Sequence, residues 1–341
     1  MAATDITTVK GQHEDISDAL VLIEPGDTPI FSLCSKGKEP ANVLFQFPVD
    51  RYDSPNTAGV LANSAVTSFE DKHANRELLA GRVQKVRRGF QVDDFVENVA
   101  DLAGVGKKQA FNKAAAKALV ELKIDIEAIM GSDNDSVAAS GNQSSGGVAN
   151  KTRGLGSWLS TTAQADAATA VPAAYRTPAS SINTTNPTSL TESGVIDLME
   201  SIFQQRRQRR NYDLVCGTAL KKAFSNFIRT SAGSTNVMSS VRTFTQSLDS
   251  KKIVNVIDIY ESDFGTLSLH PSVYLGGANA ASQAARGYVL DMDMVEIRFN
   301  RKPQMQKLPV DGAGPRGFVD AIFGTACLNP SVLGEFAYAA P

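Results

Sequence analysis

Between residues 106 and 130 the chain reads GKKQAFNKAAAKALVELKIDIEAIM, with apolar positions at Phe111, Ala115, Ala118, Leu122, Ile126 and Ile129. The steps of four, three, four, four and three are the period of one helix face. The pattern predicts a single amphipathic rod, on the order of 37 Å long at 1.5 Å per residue, that stops at Gly131. The period is different before it. Residues 43–47 are β-branched and aromatic, and Pro48 favours an edge position. Residues 81–92 (GRVQKVRRGFQV) set Val83, Val86, Phe90 and Val92 against Arg82, Lys85, Arg87 and Arg88. With the polar stretch 50–77 between them, these runs predict a long hairpin too thin to fold alone.

After the rod, residues 132–189 are rich in Ser, Thr, Gly, Asn and Ala, with Trp158 as one apolar anchor. So long an irregular segment is expected to serve as an extra surface or an intersubunit contact. Thr191 can cap a helix whose buried face is Val195, Leu198, Met199, Ile202 and Phe203. Residues 213–216 read as a short strand, and Thr218 as the cap of a second helix carrying Leu220, Ala223, Phe224, Phe227 and Ile228. Residues 253–260 (IVNVIDIY) alternate as a strand, followed by a short one at 267–269. Residues 295–299 and 304–308 alternate again, and 318–328 are almost continuously apolar, as in a strand buried on both faces. At the start, residues 14–23 suit a short helix that must end before Pro25, and 27–29 mark a turn.

The class is therefore α+β, in five parts: an arm over 1–40, a hairpin over 41–92, a region over 93–189 holding the helix at 104–130 and the Ser/Gly-rich insertion, an α/β lobe over 190–285, and closing strands over 286–341. The arm has too few apolar side chains to build a core of its own.

Composition adds mainly exclusions. At 341 residues and 42% hydrophobic, the chain can hold two or three cores. A net charge of −2 gives no bulk field of the kind a dedicated nucleic-acid binder uses. Cys34, Cys216 and Cys327 are far apart and odd in number, which fits a reducing cytoplasm and neither a disulfide framework nor a zinc ribbon. The first fifteen residues lack a signal peptide's apolar core, and no stretch approaches the roughly 18 apolar residues of a membrane span. No membrane partner is expected.

The candidate chemistry is thin. Residues 101–108 end in GVGKK but lack both the first glycine and the Ser/Thr of a phosphate loop. Residues 312–317 spell GAGPRG, but a strand follows where a dinucleotide fold needs a helix. Asp133, Asn134 and Asp135 open like a calcium loop, yet Val137 and Ala138 occupy ligand positions. His13, His73 and His270 are scattered, and no nucleophile elbow is present. No catalytic, metal or cofactor residues are assigned, and no enzyme is expected. Arg206, Arg207, Arg209 and Arg210 form a dense basic run near a helix end, where cations suit the dipole. They could meet nucleic-acid phosphates, or acids of a neighbouring subunit. Arg82, Lys85, Arg87 and Arg88 on the hairpin more plausibly meet a neighbour's acids.

The order of arm, hairpin, rod, lobe and closing strands resembles the major capsid proteins of tailed bacteriophages, which have the HK-97-type fold, and especially the SU-10 branch. The match rests on EDISD at 14–18 through DTPIF at 27–31, ELKIDIE at 121–127, and VIDIYESDFG at 256–265. The resemblance implies an extended loop at 41–92 lying over an adjacent subunit, a spine helix in a peripheral domain, and an axial domain at 190–285. It implies self-assembly into pentamers and hexamers of an icosahedral head around double-stranded DNA. It also implies a virion location after assembly in the host cytoplasm, with portal and decoration proteins as further partners. Some relatives carry a cleaved N-terminal scaffolding extension about a domain long; the short arm here leads us to expect a separate scaffolding protein. The alternative within the fold is an encapsulin-like cellular compartment.

Overall fold

The structure is a computed structural model and describes residues 27–67, 69–99, 105, 108–227, 257–276, 279–310, 312 and 314–338. The expected helix at 14–23, the first residues of the expected rod, and the first half of the strand at 253–260 lie outside the described residues.

The front of the chain gives α1 (Pro29–Leu33), β1 (Ser35–Lys36), β2 (Leu44–Val49), β3 (Glu77–Arg82), β4 (Gln84–Gln91), α2 (Asp94–Asn98) and the long α3 (Ala110–Met130). The middle gives α4 (Leu155–Trp158), β5 (Ile182–Asn183), α5 (Glu192–Arg206), β6 (Arg210–Cys216) and α6 (Thr218–Asn226). The last third gives β7 (Ile259–Ser262), β8 (Gly265–Pro271), α7 (Ala280–Ala285), β9 (Gly287–Leu290), β10 (Val295–Leu308), β11 (Arg316–Cys327) and β12 (Gly334–Phe336). The strands form three sheets, ordered β1-β10-β11-β4, β5-β12-β9-β6-β8-β7, and β2-β3. The chain divides into two compact units. The described parts of one are Arg87–Leu122 and Pro303–Asp320, and the other comprises Asp27–Val86, Lys123–Lys302 and Ala321 onward.

The rod is present, with helix from Ala110 and a stripe of Phe111, Ala115, Ala118, Leu122, Ile126 and Met130 buried. Met130 takes the last buried place, whereas Ile129 is half-buried. Lys108 adopts a left-handed conformation with φ of 61° and lies outside the helix. In the first unit, Glu97 accepts the Phe111 N–H at 2.9 Å, placing a carboxylate at the helix N-terminus where the dipole favours one.

The hairpin differs from the sequence reading in its second strand. β2 pairs antiparallel with β3, from Leu44 opposite Arg82 to Val49 opposite Glu77. Arg82 thus stays in the hairpin, while Lys85, Arg87 and Arg88 fall in β4, an edge strand of the four-stranded sheet. The physical reason lies in the spacing of Val83 and Val86. They are three apart, which a strand of period two cannot place on one face, and the chain changes sheets at Val83. The two strands expected at 295–299 and 304–308 are one continuous β10. β1 flanks it only at Glu296 and Ile297, so Pro303 costs no ladder bond to a neighbour on that side.

The six-stranded sheet takes strands from beyond 190–285, because β9 and β12 pair with each other and β9 with β6. Its core holds Val195, Leu198, Met199 and Ile202 of α5, Leu220 and Phe224 of α6, and Tyr212, Leu214, Leu267, Val289 and Phe336 of the strands. Phe224 meets Phe336 and Tyr260 edge-on at 6.1 and 5.9 Å. Each such large apolar side chain contributes about 1.5–3 kcal/mol by leaving water. Thr191 caps α5 by accepting the Gly194 N–H. The cap of α6 is Gly217 rather than Thr218. A Cβ at Gly217 would fall within 2.4 Å of the Gln283 and Ala284 carbonyls, so the chain there has room only for glycine.

Candidate assembly surfaces and the buried ions beneath them

The loop between β2 and β3 presents large apolar side chains to solvent: Tyr52 is 95% exposed and Phe69 87%, with Val60, Leu61 and Val66 beside them in sequence. A monomeric protein rarely leaves so many in one excursion. At the root of this hairpin the second unit is dry and aromatic. Arg298 lies over the rings of Phe45 and Phe47 at 5.2 and 4.9 Å, and is held there by Glu296 at 2.7 Å. Gly81 and Gly324 both face the Phe45 ring at distances that exclude a Cβ.

The basic residues singled out from the sequence do not form one free patch. Arg82 is nearly buried and bonded to Asp166 of its own chain at 2.6 Å. Arg206, at the end of α5, is nearly buried and pairs with the buried Asp291 at 2.9 Å. Arg209 and Arg210 pair with Glu261 and Asp293 at 2.8 and 3.4 Å on the surface. Arg207 is exposed and closes α5 in a left-handed conformation, its N–H on the Phe203 carbonyl. Arg87 lies 4.3 Å above the Phe318 ring and 3.7 Å from the buried Asp320. Lys85 and Arg88 are exposed along β4. The acids that meet Arg82, Arg87, Arg206, Arg209 and Arg210 thus come from the same chain.

Sequence reasoning missed the buried ions. Glu127 is fully buried on α3, and its two oxygens accept the Ile30 and Phe31 N–H groups at 3.0 and 2.8 Å. It caps α1, whose own Thr28 makes no side-chain cap. Burial pushes this carboxyl up to about 7 against the pull of those two donors. Its signal was present in the sequence, as an acid three residues before Met130 and one after Ile126, inside the apolar stripe. Arg153 is also fully buried. It binds Asp135 at 2.8 Å and the Thr169 carbonyl at 2.8 Å, and stacks on Trp158 at 4.8 Å. Asp135 further accepts the N–H groups of Ser136 and Ala165. Glu335 on β12 faces Arg286 at 3.5 Å, and burial raises it to about 8 despite that cation. Arg286 also binds Asp133. No local pattern reveals pairs separated by 18 or 49 positions. Among the described residues no group of His, Cys, Asp and Glu could hold a metal, and no helix is long and apolar enough to cross a membrane.

The fold is that of solved shell proteins. The capsid of an empty GTA particle is similar with a TM-score of 0.63 at 12% identity, covering 99% of this chain and 100% of that one. The capsid of Cyanophage P-SCSP1u gives 0.56 at 12%, with 99% and 95% covered, and a protein of Mycobacterium phage Bobi gives 0.59 at 10%, with 97% and 96% covered. These likenesses define an HK-97-like α+β capsid fold. The profile of the SU10 major capsid protein family matches residues 3–337, and the chain belongs to that family. No curated protein matches the sequence. The protein is a major capsid protein that assembles with copies of itself into the shell of a phage virion, and family membership disfavours the cellular-compartment alternative.

Proposed function

We propose that the β2–β3 hairpin is the main reach of one subunit over the next, and that the shell is built from hexamers and pentamers by this contact. The observation that supports it most is the exposed row of Tyr52, Val60, Leu61, Val66 and Phe69 on a two-stranded projection. Its strands are packed on their own unit through Phe45, Phe47 and Leu79, but its loop is not, and burying that apolar tip on a second copy adds roughly 25 cal/mol per Å². The six-stranded lobe is the axial part around the centres of pentamers and hexamers, and α3 with the four-stranded sheet is the peripheral part. The remaining partners are a separate scaffolding protein, a portal, decoration proteins and packaged double-stranded DNA touched weakly and without sequence preference. The portal, decoration proteins and DNA are supported by membership of the family, and the separate scaffolding protein is the expectation that the following test decides. The reading is structural, and it rests on membership of a capsid-protein family.

The test is electron microscopy of the chain purified after expression with and without a candidate scaffolding protein. Closed icosahedral shells only in its presence are the expected result. Uniform shells from the chain alone would remove the scaffolding requirement, and discrete small oligomers in both preparations would overturn the reading.

A further inference from the structure

The Ser/Gly-rich segment after α3 reaches the β2–β3 hairpin at both of its ends. At the root, Arg82 grips Asp166 with two bonds, Nε to Oδ2 at 2.6 Å and Nη2 to Oδ1 at 3.3 Å. Two residues on, the Gln84 side-chain oxygen accepts the Thr152 N–H at 3.1 Å, while the Thr152 hydroxyl accepts the N–H of Thr325 in β11. Toward the tip, Tyr175 donates its hydroxyl to the Asn75 carbonyl at 2.7 Å, and Arg51 reaches the Ala174 carbonyl at 3.4 Å.

The segment is stiff where it holds the root. Asp166 also accepts the Ser136 and Thr169 hydroxyls and the Ala168 N–H. Thr169 is held in turn by the buried Arg153, which Asp135 and Trp158 fix from two other directions. A bidentate Arg–carboxylate pair constrains direction as well as distance. The inner face of the hairpin is anchored by the buried Phe45, Phe47, Leu79 and Ala80. The bonds at the root and just beyond the far strand ends add direction to that packing, and together they give the hairpin one stance.

We infer that residues 132–176 act as an intrachain bracket, and that the Arg82–Asp166 pair sets the angle at which the hairpin leaves its unit. Arg82 and Asp166 are positioning residues: they fix where the apolar tip stands when a second copy arrives. The consequence for assembly rests on the hairpin being the reach between subunits. The stance itself does not.

The experiment compares the full-length wild type with Arg82→Lys and Asp166→Asn. Arg82→Lys keeps the charge and removes the fork, so it preserves a partner for Asp166 if Asp166→Asn disturbs folding. Hydrogen exchange is followed at the hairpin amides of residues 44–49 and 77–82, with the six-stranded sheet as internal control, and shell diameters are measured by electron microscopy. The expected result is hairpin exchange faster by on the order of tenfold with control amides unchanged, since local opening reports the lost restraint, together with a broader spread of shell sizes. Unchanged hairpin exchange in both variants overturns the bracket, as does faster exchange everywhere in both. Faster hairpin exchange with unaltered shells keeps the bracket and overturns its link to reach. A wild type that forms no shells even when expressed with the scaffolding protein overturns the assembly reading instead and leaves the exchange data to decide the bracket.

Discussion

Glu127 ties α1 to the last turn of α3 with a buried carboxyl, and this makes the docking sensitive to protons. Its ordinary value is 4.5, and burial lifts it to about 7 in the folded chain. The folded state therefore holds a proton that the unfolded state releases. The stability linked to that proton is complete below about pH 4.5 and is lost as pH rises through about 7. Melting of the unassembled chain across this window should show the loss, and Glu127→Gln should flatten it while leaving one N–H of α1 without its acceptor, at a cost of about 1–3 kcal/mol. A wild-type and a Gln chain with parallel pH profiles would refute this account. Arg153 calls for a different variant. Arg153→Ala removes a fully buried cation, so Asp135 loses its ion-pair partner and the Thr169 carbonyl its donor, and denaturant unfolding should report a loss of about 3–5 kcal/mol. Glu127 was half legible in the sequence, as an acid set within an apolar stripe. Arg153 was not, because its partners arrive only after the 132–189 segment has folded back on itself.

Among the elements, the hairpin allows stability and assembly to be tested apart. Tyr52 and Phe69 stand almost wholly in solvent, and surface substitutions away from special features usually shift stability within about 0.5 kcal/mol. Replacing both by Ser should leave the melting temperature of the unassembled chain nearly unchanged and sharply reduce shell yield. A normal yield would show that the tip is not the reach. Leu122→Ala should do the opposite, costing about 2–5 kcal/mol of stability at a fully buried position of α3, read as an earlier unfolding midpoint. The contrast explains which elements the sequence revealed. A helix face repeats every three or four residues over 21 positions, and so announced itself. The pairing of β2 could not be read the same way, because Glu77–Arg82 and Gln84–Gln91 are contiguous and only one break in alternation, at Val83, separates them.

For the whole molecule, charge is mostly balanced inside one chain. Arg206, Arg209 and Arg210 find Asp291, Glu261 and Asp293 there, so the run that looked most like a phosphate contact is largely neutralised. Replacing Arg209 and Arg210 by Gln should leave the fraction of DNA-filled particles unchanged. A marked loss of filled heads would reinstate the run as a DNA contact. The pairing of Arg206 with the buried Asp291, by contrast, joins the end of α5 to the turn after β9, and that is a structural use of the same residue type.

What the sequence determined by itself was the kind of parts and their order: a rod, thin strands with a polar excursion, an α/β lobe and a closing apolar strand, with no catalytic signature. These follow from periodicity and composition, which act over a few residues and survive in any packing. The tertiary structure alone decided which strands pair, which charges are neutralised and which remain at the surface, and that the Ser/Gly-rich segment braces the hairpin. Those outcomes depend on groups tens to hundreds of positions apart. Burial then makes an unpaired charge or carbonyl costly, so each such group must find a partner wherever the chain brings one.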